Sequence, residues 1–304
     1  MGEELGVLGE PIISPQNAVA KRAAGLRLRK FREREGAFLA EGADLVAAGI
    51  AAGHRPQVVF VRCGSAAEAA AGGGAEGGET GGASPVIVPA ALAGLTVYPV
   101  SDRVAAKVST LETAPDVMAV FPVPPRRPLE SLREGDPLIV YADRIADPGN
   151  MGTLLRAAAA FGAAALATAP GSADLYGPKT VRASMGAVFA LPLYQDVGLG
   201  ELAVRLGVTR VYGLVAHGGA PLGDAELRRP AVLCVGAERA GLAPGTLAQV
   251  TDQLTIELAP GPVPPAAVES LNAGVAGAIA LYAFARRARR HASDDVAGRR
   301  PEKG

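Results

Sequence analysis

From residue 137 onward the chain repeats one alternation: a short unbroken apolar run, a turn, then an Ala- or Leu-rich stretch of helical period. The runs read as strands at 138–142, 164–168, 188–192, 210–215, 231–235 and 253–257. Helices are expected at 152–162, 178–185, 199–206, about 244–249 and 270–290. Because the strand runs are apolar on both faces, they predict a mostly parallel sheet covered by helices on each side. Such sheets bind ligands beyond the carboxyl ends of their strands. That rule singles out the turns after Tyr141, Val235 and Leu258, which also hold the least ordinary residues.

The first turn lies in "DRIADPGNMGTLLRAAAAFG" (143–162) and presents Asn150, Gly152 and, one helical turn in, Arg156 on the side facing back over the turn. Alone, it also reads as a tight strand-to-helix connection with Asn150 as N-cap. As a dinucleotide loop it lacks a third glycine, and no acidic residue ends the next strand. The second turn, "LCVGAERAGL" (233–242), places Gly236 where a ligand can approach backbone and Glu238 at the tip of an apolar strand. The third, "TIELAPGPVPPAAVESLNAGVAGAIALY" (255–282), passes through a Pro-rich loop to Ser270, Leu271 and Asn272, with Ser270 a candidate N-cap.

The N-terminal third differs in texture. Residues 14–36, "SPQNAVAKRAAGLRLRKFREREG", read as helical and gather Lys21, Arg22, Arg27, Arg29, Lys30 and Arg32. Strands are expected within 37–42, 56–63, 85–90 and 116–123, with a short helix in 99–110, which makes a small α/β domain. A Gly-, Ala- and Glu-rich insertion at 64–84 is expected to be disordered. The Pro-rich segment 122–136 is the expected linker. The expected division is therefore 1–121, the linker, a second domain at 137–290, and a disordered tail at 291–304.

With 304 residues the chain is long enough for both domains. Aromatics are only 4%, so packing must rest on Leu, Val, Ile and Ala. Net charge is zero, so any contact with a polyanion must be a local patch. Cys63 and Cys234 sit in separate strand-like runs and read as buried thiols in a reducing cytoplasm, not a disulfide framework. Only His54, His217 and His291 accompany them, at no zinc-ligand spacing, so no metal is expected. The apolar stretches 157–169 and 271–285 fall short of the ~18 residues of a membrane span, and the acidic start lacks a signal pattern.

Taken together, N-x-G-x-x-x-R (150–156), G-x-E-x-x-G-L (236–242) and E-S-L-N-x-x-V-A (269–276) resemble the three signature motifs of the SpoU/TrmH family of RNA ribose methyltransferases. "KTVRASMGAVFALPLYQ" (179–195) is similar to that family's middle segment, and 14–42 to the N-terminal substrate-binding domain of many members. The resemblance covers nearly the whole chain outside 64–84 and the tail. It implies a SPOUT α/β domain with its end threaded into a trefoil knot, preceded by an L30e-like RNA-binding domain. It also implies a cytoplasmic homodimer that uses S-adenosylmethionine.

The reaction so implied is methyl transfer to a ribose 2′-hydroxyl, in 23S ribosomal RNA before transfer RNA. The resemblance points to Arg156 as central, steered by Asn150, with Glu238, Ser270 and Asn272 completing the site. It assigns cofactor contacts to Val215, Gly236, Ile256, Leu258, Leu271 and Asn272. A guanidinium is effectively never deprotonated in proteins, so Arg156 is expected to bind the substrate phosphate and stabilise the developing alkoxide. The basic residues 21–32 are expected to hold RNA, whereas Arg286, Arg287, Arg289 and Arg290 suit a helix C-terminus. A nucleotide-dependent enzyme and a non-catalytic RNA-binding adaptor are the alternatives.

Overall fold

A computed structural model describes residues 7–63, 94–258 and 270–297. They divide into two compact units, residues 1–124 with 176–189 and residues 125–175 with 190–304. The expected strand at 85–90, the insertion at 64–84 and most of the loop after Leu258 lie outside the described residues. Among the described residues, no helix is long and apolar enough to cross a membrane.

The first unit runs β1 (Val7–Leu8), α1 (Ala18–Gly25), α2 (Arg29–Glu35), β2 (Ala37–Glu41), α3 (Ala43–Ala51), β3 (Val58–Arg62), β4 (Thr96–Val100), α4 (Asp102–Val108) and β5 (Val117–Pro122). Its sheet has the order β1-β4-β3-β5-β2, with β5 antiparallel to both neighbours. The single helix expected across 14–36 is broken. Asn17, not Ser14, caps α1 by accepting the amides of Val19 and Ala20. Leu28 is extended, and α2 ends on Gly36 at a φ of 56°. Strand β4 was not anticipated.

The second unit begins with a 3-10 turn, Leu129–Leu132, inside the segment expected to be a linker. Leu129 is buried in this unit's core, and Glu130 pairs with Arg205 at 2.9 Å, so the segment is packed structure. Then come β6 (Leu138–Asp143), α5 (Pro148–Ala160), β7 (Ala165–Thr168), α6 (Pro178–Ala183), β8 (Leu193–Tyr194), α7 (Leu199–Leu206), β9 (Val211–Leu214), β10 (Ala220–Pro221), β11 (Ala231–Gly236), α8 (Pro244–Leu247), β12 (Asp252–Thr255) and α9 (Ala273–Ala297). Seven strands form one parallel sheet in the order β10-β12-β9-β11-β6-β7-β8. The apolar runs of β6 and β11 lie side by side within it, where both faces are covered. Helix α9 continues past the expected end at 290, since no glycine or proline interrupts the sequence before Gly298.

Helix α6 and its flanks, 176–189, belong to the first unit although the sequence placed them in the second domain. The rings explain this: Phe189 lies 4.8 Å from Phe121, and Tyr176 lies 5.0 Å from Phe38. Arg182 reaches the buried carboxylate of Glu41 at 3.0 Å, which also accepts the hydroxyls of Ser109 and Thr110. Left-handed Met185 and Gly186, and the 3-10 turn Ala187–Phe189, therefore replace the strand expected at 188–192.

Burial raises the pKa of both thiols, far more for Cys234 inside β11 than for half-buried Cys63. Both are thiols rather than thiolates at neutral pH. Titration with a chromogenic disulfide at pH 8 should modify Cys63 slowly and Cys234 only after denaturant is added.

Candidate active site

The carboxyl ends of β9, β11 and β12 converge on the start of α9 and frame a half-open cavity. Val215 follows β9, Gly236 and Glu238 belong to the turn after β11, Ile256 and Leu258 follow β12, and Ser270 and Leu271 precede α9; all line the cavity. Its surface is apolar side chains broken by backbone polar groups at the strand ends, a setting for a flat organic ligand with a few polar edges. Leu214, Ala216, Ala273 and Ala276 add to the wall. Sequence reasoning did not reach these small or aliphatic residues, because nothing but position separates them from core.

The turn after β11 is tight enough to require its glycines. A Cβ on Gly236 would stand 2.3 Å from the carbonyl carbon of Gly241. Gly241 itself has a φ of 62°. The amide of Gly241 donates to the Ala237 carbonyl at 2.9 Å, and the amide of Ala237 donates back at 3.2 Å. Glu238 is thus carried at the tip of a closed loop.

Three turns meet in one hydrogen-bonded chain. The Asn150 side-chain amide donates to the Glu238 carboxylate, and its carbonyl accepts from the Asn272 amide at 2.7 Å. Asn150 is free to do this because Asp147 does the capping: its Oδ1 accepts the Asn150 backbone amide at 2.8 Å. At α9 the capping falls to Asn272, whose Oδ1 accepts the Val275 amide at 3.2 Å, and not to Ser270. Glycines bring the helices together here, since a Cβ on Gly274 would lie 3.0 Å from Thr153 Cβ and one on Gly277 2.4 Å from Leu154 Cδ1.

Arg156 stands apart from this chain. It is exposed on α5 and makes no hydrogen bond or ion pair among the described residues. Six residues beyond Asn150, at about 100° per residue, it points to a different side of the helix. Among the described residues no hydrogen bond links Arg156 to Asn150, whose side chain is engaged by Glu238 and Asn272. Asn272 belongs to the hydrogen-bonded chain rather than to the cavity lining. Among the described residues, no group of three or more His, Cys, Asp or Glu is gathered for a metal ion.

In the first unit the basic residues divide sharply. Lys21 and Lys30 are exposed. Arg22 pairs with Glu35 at 2.8 Å, and Arg29 with Glu33 at 2.7 Å. Arg27 is exposed and donates to the carbonyls of Ala24 and Lys107. Arg32, expected to face RNA, is only 6% exposed and donates to the Leu26 carbonyl, closing the break between α1 and α2. Arg103 and Lys107, one turn apart on α4 and both exposed, are cations that sequence reasoning passed over.

Comparison with known proteins matches residues 137–282 to the SpoU rRNA Methylase family and residues 17–119 to the MRM3-like substrate binding domain. The chain is 34% identical over 182 residues to the 23S rRNA (uridine(2479)-2′-O)-methyltransferase of Streptomyces viridochromogenes, covering 56% of this chain and 60% of that one. It is 31% identical over 192 residues to the 23S rRNA (guanosine(2553)-2′-O)-methyltransferase RlmP of Bacillus subtilis, covering 62% and 72% respectively. The crystal structure of the SpoU methyltransferase AviRb from S. viridochromogenes, in complex with AdoMet, superposes with a TM-score of 0.72 at 25% identity, covering 90% of this chain and 99% of that one.

The two glycines of the β11 turn make a contrast that urea denaturation can read. Gly241→Ala places a side chain in open space at a left-handed φ and should cost about 1 kcal/mol. Gly236→Ala drives a methyl into backbone and should cost about 3 kcal/mol, with loss of ligand binding in the cavity.

Proposed function

Because the chain belongs to the SpoU family of RNA methyltransferases, we propose that it transfers a methyl group from S-adenosylmethionine to a ribose 2′-hydroxyl of 23S ribosomal RNA. The observation that carries this reading is the hydrogen-bonded chain Glu238–Asn150–Asn272, which ties three separate turns together at the edge of the cavity. A non-catalytic adaptor has no use for that arrangement, and a nucleotide-dependent enzyme would need the third glycine that the 149–154 turn lacks.

The cavity suits the cofactor by its chemistry. Val215, Ile256, Leu258 and Leu271 offer apolar walls for a purine, and the missing Cβ of Gly236 lets a ligand lie against backbone. S-adenosylmethionine supplies a methyl already activated on a sulfonium, so the protein's task is chiefly to position the hydroxyl and handle its proton. In this reading Glu238, Asn150, Ser270 and Asn272 hold the nucleoside against the cavity mouth. Arg156 binds the adjoining phosphate and stabilises negative charge on the 2′-oxygen as its proton leaves to phosphate or water. The absence of a carboxylate partner for Arg156 among the described residues supports that role.

RNA is held by the first unit through Lys21, Arg27 and Lys30, with Arg103 and Lys107 beside Arg27. Arg22 and Arg29 are already neutralised by glutamates and contribute less. The reading includes a homodimer. The apolar stripe Val275, Ile279 and Tyr282, spaced by helical turns along α9 and exposed, supports one. It also includes a knot in the second unit. In support, β11 lies between β6 and β9 although it follows both in sequence, and α9 returns onto α5. With ribosomal RNA as substrate, the protein's place is the cytoplasm.

Tritiated methyl transfer to 23S rRNA, with transfer RNA as a parallel arm, tests this directly. Label in 23S rRNA recovered as an alkali-resistant dinucleotide is the expected result; label on a base, or only in transfer RNA, refutes it. Arg156→Ala should lower kcat by about 100-fold or more while leaving cofactor binding intact. Arg156→Lys should not restore it, because a lysine lacks the bidentate fork. Ile279→Glu should shift the protein from dimer to monomer in light scattering.

A further inference from the structure

Asp143 ends β6 and is 1% exposed, yet no part of the reaction described above uses it. One oxygen, Oδ1, has no hydrogen-bond partner among the described residues and only the Arg144 guanidinium nearby, Nε at 3.6 Å. A carboxylate so buried and half satisfied is expensive to keep, which asks what it does. Its other oxygen, Oδ2, accepts the backbone amide of Ala243 at 2.5 Å.

The place of that bond in the chain gives the answer. Asp143 lies in register with Gly236 across the β6–β11 pair. The chain leaves β11 at Gly236, runs through the tight turn bearing Glu238, and returns at Ala243 to the same point on β6. The Ala237–Gly241 hydrogen bonds close the turn in its middle, and the carboxylate closes it at its end. Whatever fixes this turn also fixes the Gly236 wall of the cavity and, through Glu238, the orientation of Asn150 and Asn272.

We propose that Asp143 is a positioning residue for methyl transfer: its buried carboxylate clasps the Ala243 amide and thereby holds the 236–242 turn in the shape that receives the cofactor. This rests on the reading of the cavity as the cofactor site. It does not rest on which RNA is modified. The role needs one acceptor oxygen aimed at Ala243, not a charge as such. An asparagine can supply that oxygen while placing its amide at the Oδ1 position, where there is no hydrogen bond to lose.

The experiment compares Asp143→Ala, Asp143→Asn and the unaltered full-length protein. It measures S-adenosylmethionine affinity by calorimetry, 23S rRNA affinity by filter binding, kcat, and thermal midpoint. Asp143→Ala should weaken cofactor binding ~10-fold, the loss of one buried hydrogen bond. Its kcat should fall as well, while rRNA affinity should fall much less than cofactor affinity, because Lys21, Arg27, Lys30, Arg103 and Lys107 of the first unit are untouched. Asp143→Asn should recover most of the cofactor affinity. The proposal is overturned if Asp143→Ala binds cofactor as the unaltered protein does. It is equally overturned if the asparagine variant is no better than alanine and rRNA affinity falls together with the thermal midpoint, the mark of general destabilisation. Should the unaltered protein bind cofactor yet label no RNA, the reaction reading fails while the cofactor affinities still decide the role of Asp143. Should it bind no cofactor at all, both fall.

Discussion

Backbone passes close to backbone or to core side chains at three glycines around the site, and the rest of the second unit is arranged to permit it. At Gly236 a methyl would meet the Gly241 carbonyl carbon at 2.3 Å; at Gly277 it would meet Leu154 at 2.4 Å; at Gly274 it would press on Thr153 at 3.0 Å. Without these approaches α9 would stand off from α5 by the thickness of a side chain. Asn272, which opens α9, could not then reach Asn150 at 2.7 Å. The frequent Ala among the Leu and Val of the core meets the same demand, since small side chains are what let helices and strands lie this close. The cavity and the hydrogen-bonded chain beside it are both products of this packing.

The parallel sheet was legible because β6 is buried throughout and β9 and β11 are buried up to their last residue, and a continuous apolar run has few other uses. The rule that ligands sit beyond carboxyl ends singled out the turns after Val235 and Leu258, which border the cavity, and the turn after Tyr141, which does not. What stayed hidden were decisions made between distant residues. Sequence assigned capping to Asn150 and Ser270; Asp147 and Asn272 perform it, and only three-dimensional contact with Glu238 shows why Asn150 is spared. Segment 176–189 lies between two strands of the second unit in sequence but packs with the first, because Phe189 and Tyr176 find their ring partners there. No local period records a pull of that kind.

Charge in the first unit makes the same point in another way. A run such as 21–34 looks uniformly basic when only its arginines and lysines are counted. The fold places Glu33 and Glu35 against Arg29, Arg34 and Arg22, and turns Arg32 inward to a carbonyl. Exposed pairs of this sort add little stability, but each removes a cation from those available to a phosphate. Meanwhile Arg103 and Lys107 sit one helical turn apart on α4, an arrangement of like charges that costs the helix a few tenths of a kcal/mol. Arg27, whose guanidinium donates to the Lys107 carbonyl, joins them into one surface.

Arg156 and Asn150 belong to one sequence motif, yet the structure gives them opposite treatment, and the difference fits their chemistry. An asparagine amide has a donor end and an acceptor end that must be told apart, and here the neighbours do so: the carboxylate of Glu238 demands the NH₂, and the Asn272 amide demands the oxygen. That fixes the orientation of the Asn150 amide beside the cavity. A guanidinium needs no such instruction, because it is cationic at every physiological pH and donates around its whole edge. Burying it in the same network would neutralise it against Glu238 and leave nothing for a phosphate. Holding Arg156 exposed on α5, unpaired among the described residues, leaves its charge available, as the proposed role at an RNA phosphate requires.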